Sequence, residues 1–153
     1  MSAEAKLVEL GIELPPAPSA LGVYRPVVVM GDTVYTSGHL PLKPDGSLIT
    51  GRIGADLDQQ AGYAAARQTC LAILASLRAQ FGTLDEIRRV IKIVGLVNAT
   101  PDFTEHPAVI NGCSELLAEV FGPEAGVGAR SALGVASLPK NVPVEIEGIF
   151  EVG

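Results

Sequence analysis

Apolar residues recur along this chain with two different periods, and the switches between them mark out its elements. From Asp56 to Phe81 they return at steps of three and four: Tyr63, Ala66, Cys70, Ile73, Leu74, Leu77 and Phe81. That spacing puts them on one stripe of a helix. Asp56 with Gln59 three residues on reads as a capping box, and Gly82 is a stop. A second stripe, Val109, Cys113, Leu116, Leu117 and Val120, predicts a helix opening at Pro101-Asp102 and running to about Phe121, ahead of Gly122-Pro123. A short helix from Ala3 to Leu10 ends against Gly11, and Pro15, Pro16 and Pro18 then make an extended connector.

The remaining apolar runs are β-prone. Pro26 to Met30 and Thr33 to Ser37 flank Gly31-Asp32, a hairpin signal because glycine accepts the positive φ of the turn. Pro44-Asp45-Gly46 marks a second turn. Val90 to Val97, Arg130 to Leu138 and Val142 to Val152 read as further strands, with Glu124 to Gly128 as a loop. The order β-β-α-β-α-β-β, in one domain over residues 1–153 with an accessory N-terminal segment at 1–21, predicts an α+β layer. Its sheet is mostly antiparallel, with two helices on one face. Along the last strand Val142, Val144, Ile146 and Phe150 point one way, and Glu145, Glu147 and Glu151 the other. The uncovered face is therefore wetter, or it is a subunit interface.

A tight turn near Pro139-Lys140-Asn141 would pair the last two strands as a hairpin and put Arg130 on the same face as Glu145 and Glu147. A slip of one residue would separate them. Even in the favourable register Glu145 opposes Ala136, roughly 20 Å along the strand from Arg130. A site using both then needs twist, a bulge or a second chain.

Composition narrows the classes. The 153 residues are 48% hydrophobic and 18% charged, which excludes intrinsic disorder and leaves little charge to cover a surface. A chain so apolar is expected to hide part of its exterior against a partner. The net charge of −6 offers no basic stripe for a phosphate backbone, so nucleic acid is an unfavoured partner. No apolar run approaches the roughly 18 residues of a membrane span, and Met1 to Leu10 lacks signal-peptide character, so a cytoplasmic location is expected. Cys70 and Cys113 sit on the helix stripes without metal-ligand spacing and read as buried free thiols.

No serine-hydrolase, zinc-protease, P-loop or dinucleotide signature is present, so acid–base chemistry falls on a carboxylate or on His39. Four polar positions stand inside otherwise apolar segments. Ser37-Gly38-His39 ends a strand and is either a plain turn or a place where a ligand comes close to the backbone. Arg130 enters an apolar strand, either as a clamp for a carboxylate or as a partner of a structural glutamate. Glu145 and Glu147 form either a solvated face or, with burial raising one pKa, an acid–base group. Asn111 lies off its helix stripe, either as a plain surface residue or as part of a site, beside Gly112, whose lack of a side chain signals close packing.

In this order these segments resemble the Rid family, also called YjgF-like or endoribonuclease L-PSP, from about Gly22 to Val152. The resemblance rests on Gly22-Val23-Tyr24, Tyr35-Thr36-Ser37-Gly38-His39-Leu40-Pro41, Pro101-Asp102-Phe103 with Asn111, Ala129-Arg130-Ser131, and Leu138-Pro139-Lys140 leading to Val144-Glu145-Ile146-Glu147. Val109-Ile110-Asn111-Gly112 and the longer N-terminus mark a divergent branch. The resemblance implies a chorismate-mutase-like fold and a homotrimer whose sheets form a central barrel with clefts between subunits. It implies hydrolysis of 2-imino and 2-enamino acids to 2-oxo acids and ammonia, with no metal or cofactor. Arg130 would hold the carboxylate of the imine or of a 2-oxo acid ligand, and Glu145 would handle water and proton. Tyr24, Ser37, Gly38 and Asn111 would line the cleft, with His39 beside them as a second acid–base candidate. Two residues depart from the archetype: Ala132 replaces a cysteine, and His39 replaces a glutamine. Alternative expectations are a trimer that binds small carboxylates without turnover, and an endoribonuclease.

Overall fold

A computed structural model describes all residues, 1–153. Its elements are α1 (Ala3–Glu9), β1 (Val27–Met30), β2 (Thr33–Thr36), α2 (Gln59–Phe81), β3 (Ile87–Asn98), α3 (His106–Phe121), β4 (Ala129–Val135) and β5 (Val144–Val152). The architecture is α+β, a mixed sheet with three helices. Strand order is β1-β2-β5-β3-β4, and every pairing is antiparallel except β3 with β4. No helix is long and apolar enough to cross a membrane.

The Gly31-Asp32 hairpin forms as expected, pairing Val29 with Val34. The expected hairpin between the last two strands does not. β4 runs parallel to β3, while β5 takes the other edge of β3 in the antiparallel sense. Parallel pairing needs a long crossover, and α3 supplies it between β3 and β4. The turn at Pro139–Asn141 is no two-residue hairpin turn. Lys140 and Asn141 both take left-handed backbone, with φ of 54° and 56°, and carry the chain over to β5.

Helix starts also differ from expectation. Asp58, not Asp56, caps α2, accepting from the Ala61 N–H at 2.8 Å, while the Asp56 carboxylate accepts from the Arg52 N–H at 2.9 Å. The second long helix opens at His106 rather than Pro101. Pro107 occupies its first turn, where the missing N–H costs no hydrogen bond. Residues 100–103 form a turn, with the Phe103 N–H donating to the Thr100 carbonyl at 3.1 Å.

Both stripes face one core except at Tyr63, which is partly exposed and donates its hydroxyl to Glu115 of α3. Ile73, Leu74 and Leu77 of α2 and Ile110, Leu116 and Leu117 of α3 are buried with Ile93, Ile146 and Phe150 of the sheet. Cys70 and Cys113 are free and buried among them. The N-terminal helix joins this core through Ala3 and Leu7. Glu4 fixes it there, accepting from Arg78 Nη2 at 2.7 Å and from the Leu84 N–H at 2.8 Å.

Gly112 sets how closely α3 approaches α2. A Cβ at this position would lie 2.1 Å from the Tyr63 carbonyl oxygen, and backbone cannot swing away. Gly112→Ala must push the helices apart, and overpacking of this kind costs roughly 1–3 kcal/mol. At about 2–4 °C per kcal/mol for a domain this size, thermal unfolding is expected several degrees below wild type. An unchanged midpoint would refute the close-packing role.

Candidate functional site

Sheet register decides where the candidate residues go. Glu145 aligns with Leu96, and Leu96 with Leu133; Arg130 aligns with Ile93, and Ile93 with Gly148. Side chains alternate along each strand, so Arg130 belongs to the Ile93 face, which the helices cover. Glu145 and Glu147 belong to the opposite, open face, with Tyr35 and Leu133. The shared face expected from a hairpin is thus overturned, because β3 stands between the two strands and fixes the parity of each.

The first group gathers where β2 runs on past its last residue along β5. His39 exchanges two backbone hydrogen bonds with Ile146, at 2.7 and 3.0 Å. This lays Gly38 against Glu145 so closely that a Cβ on Gly38 would lie 2.3 Å from Glu145 Oε2. Only glycine leaves room for the carboxylate there. The Glu145 carboxyl is half-buried, and burial first, then the like charge of Glu147, pushes its pKa above the ordinary 4.5. The Ser37 hydroxyl donates to the Arg25 carbonyl at 2.6 Å, and the Tyr24 hydroxyl accepts from the Leu21 N–H at 3.1 Å. Tyr24, Ser37 and Gly38 line a pocket of about 520 Å³.

His39 also borders that pocket, but its ring turns into the core and is only 4% exposed. Nδ1 lies 2.7 Å from the Ser37 carbonyl oxygen, which can only accept, so Nδ1 carries the proton. Nε2 then accepts from the Ser76 hydroxyl of α2 at 2.8 Å. The ring holds the Ser37–Gly38 backbone from beneath, and Ser76, which sequence reasoning missed, anchors it. The available signal was a lone serine inside the apolar run from Leu71 to Leu77.

The second group lies at the β4 edge. Arg130 Nη1 donates to Asn111 Oδ1 at 2.7 Å and to Ser114 Oγ at 3.1 Å. Asn111 and Ser114 are three apart on α3, hence neighbours on one helix face. Ser114 was not foreseen; the i, i+3 spacing from Asn111 was its signal. None of the four ion pairs in the chain involves Arg130, so the alternative of a structural salt bridge does not hold. Two neutral acceptors aim an exposed guanidinium and leave its charge unmatched. Ala132 follows on the same face and packs on the core edge.

With the geometry established, comparison with known proteins gives the lineage. The family model described as "YjgF/chorismate mutase-like, putative endoribonuclease" matches residues 4–146. The chain belongs to this family. Protein TCP17 of Trypanosoma cruzi is 41% identical over 97% of this chain and 92% of its own length. The 2-iminobutanoate/2-iminopropanoate deaminase of Escherichia coli K12 is 31% identical over 87% and 90%. Among solved structures, Atu1372 of Agrobacterium tumefaciens superposes with a TM-score of 0.89 at 42% identity, covering 99% of this chain and 94% of that one. Escherichia coli TdcF with bound serine gives 0.64 at 26% identity, covering 93% and 98%.

The buried His39 makes stability depend on pH. Burial holds its pKa below the ordinary 6.5, against the opposing pull of the Ser37 hydrogen bond. Between 6.5 and the depressed folded value, the unfolded chain binds more protons than the folded one. Stability from the neutral ring is therefore complete above 6.5 and is lost as pH falls through that window. The slope is at most about 1.4 kcal/mol per pH unit. Urea unfolding on both sides of 6.5 should reveal it, and His39→Gln should remove it; an equal slope in the variant would refute the assignment.

Proposed function

We propose that this protein hydrolyses 2-imino acids, and their 2-enamino tautomers, to 2-oxo acids and ammonia at clefts between the subunits of a homotrimer. The observation that carries the reading is Arg130: an oriented, exposed guanidinium with neutral partners and no carboxylate of its own. A planar fork in that state suits a substrate carboxylate. The deaminase name of the Escherichia coli relative, and the serine bound to TdcF, support a small amino-acid-like ligand.

The chemistry asks little of the protein. Water adds to the imine carbon to give a carbinolamine, one proton passing from water to nitrogen. The C–N bond then breaks, ammonia leaves and the C=O forms, with no change of oxidation state. Glu145 would take the water proton and return it to the leaving nitrogen, and its raised pKa brings it nearer that task. Arg130 would hold the carboxylate, with Asn111 and Ser114 aiming it. Tyr24, Ser37 and Gly38 would border the substrate on the Glu145 side, and His39 would position their backbone.

Because Arg130 and Glu145 lie on opposite faces of one sheet, a site using both needs Arg130 from a second copy. The open face is suited to burial between copies, since Val28, Met30, Tyr35 and Leu133 are exposed on it. Light scattering after gel filtration is expected to give three times the 15.8 kDa of one chain. A monomeric mass at micromolar concentration would overturn the shared cleft.

Turnover is testable with imines generated in situ by an amino-acid oxidase and followed by loss of the imine signal. Arg130→Ala is expected to lose about 1.5–3 kcal/mol of substrate binding, roughly ten- to a hundredfold, with partial rescue in Arg130→Lys. Glu145→Gln should keep 2-oxo acid binding and lower kcat. An unaffected Glu145→Gln enzyme would refute the base. Arg130-dependent binding without turnover of any imine would favour a carboxylate-binding trimer instead.

A further inference from the structure

The pocket beside Gly38 is much larger than a three-carbon imino acid requires, and its walls have a definite chemistry. At about 30 Å³ per water, 520 Å³ holds well over ten waters, whereas 2-iminopropanoate has six heavy atoms. Beyond Ser37 and Gly38 the walls are mainly Leu21, Leu40, Leu42 and Leu48 with Pro18 and Pro26, and Ser19, Tyr24 and Thr50 add hydroxyls. Lys140 is the one charged side chain among them, and no carboxylate borders the space.

These walls are built in advance. Leu42 and Leu48 pair across the turn at Lys43–Ser47. The Lys43 N–H donates to the Ser47 carbonyl at 2.8 Å, and the Gly46 N–H to the Lys43 carbonyl at 2.9 Å. Asp45 Oδ1 accepts from both the Ser47 N–H and its hydroxyl, at 2.9 and 2.6 Å. Gln68 of α2 ties the turn to the body, donating to the Leu42 carbonyl at 2.6 Å. On the facing side Leu21 is 72% exposed, held near Tyr24 by the hydrogen bond from its N–H. Apolar surface left open in this way gains free energy when an apolar group covers it.

Resting on the deaminase reading above, we propose that this pocket is a side-chain specificity pocket for 2-imino acids with bulky apolar side chains, branched aliphatic or aromatic, in preference to those of alanine or serine. Each further methylene buried against these leucines is worth about fourfold in binding. A cationic side chain would meet no counter-charge there, and an acidic one would find only Lys140 at the border.

The test uses the purified full-length protein and three 2-oxo acids as probes: 4-methyl-2-oxopentanoate, pyruvate and 2-oxoglutarate, titrated by calorimetry. In parallel, kcat/KM is measured on oxidase-generated imines of leucine, phenylalanine, alanine and arginine. The expected result is at least tenfold tighter binding of 4-methyl-2-oxopentanoate than of pyruvate, and the same order in kcat/KM. Leu42→Ser, at a side chain outside the core cluster, should reduce that ratio severalfold; Leu48→Ser gives an independent second reading. Equal binding of pyruvate, or a ratio unmoved by both variants, overturns the pocket assignment while leaving deamination intact. Tighter binding of 2-oxoglutarate overturns it in favour of Lys140 as the recognising group. Absence of turnover on every imine defeats the deaminase reading, yet the order among the 2-oxo acids still decides the pocket.

Discussion

The position of β3 between β4 and β5 is the constraint on which the site depends. From Ile93 to Val97 both neighbours match β3 residue for residue, and within that regular stretch a strand cannot turn one side chain over without turning all of them. Through Ile93 and Leu96, the ladder commits Arg130 to the helix side and Glu145 to the open side. No rotamer change can bring them together within one chain. The parallel β3–α3–β4 unit also places Asn111 and Ser114 over the start of β4, so the same connection that separates Arg130 from Glu145 gives it two acceptors.

The two candidate groups differ in their electrostatics. At Arg130 the partners are neutral and the guanidinium is exposed, so no carboxylate of the chain competes for it. At Glu145 partial burial and the neighbouring Glu147 disfavour the anion and move the carboxyl toward exchange of a proton. Gly38 makes the second group possible by removing the one side chain that would displace the carboxylate. His39 completes it from the other side of the sheet, where a neutral ring bridges Ser37 and Ser76.

Much of this was legible in the residues. The helix stripes, the Gly31-Asp32 hairpin, the turn at Pro44-Asp45-Gly46 and the tight approach at Gly112 all follow from local pattern, and each was formed as expected. Strand partnership was not legible. Adjacent strands separated by a few residues invite a hairpin, and nothing local reveals that β4 has already been claimed by β3. The same limit hid the face of Arg130 and the inward turn of His39, since both depend on which strand lies alongside. Cap positions slipped for a simpler reason: Asp56 and Asp58 are equally good caps by type, and the backbone at Arg52 takes the first.

The Glu4 anchor reaches further than the helix it holds. Between α1 and β1 the chain crosses the rim of the large pocket, contributing Pro18, Leu21 and Tyr24 before entering the sheet. That stretch is a tether fixed at both ends, and lengthening such a span adds little closure entropy. None of its residues from Ala17 to Arg25 belongs to the core cluster. Substitution at Pro18 or Leu21 can therefore reshape this wall without repacking the helices. One wall of the pocket is thus chain that the helices and sheet leave free to vary, while the opposite wall is tied to α2 through Gln68.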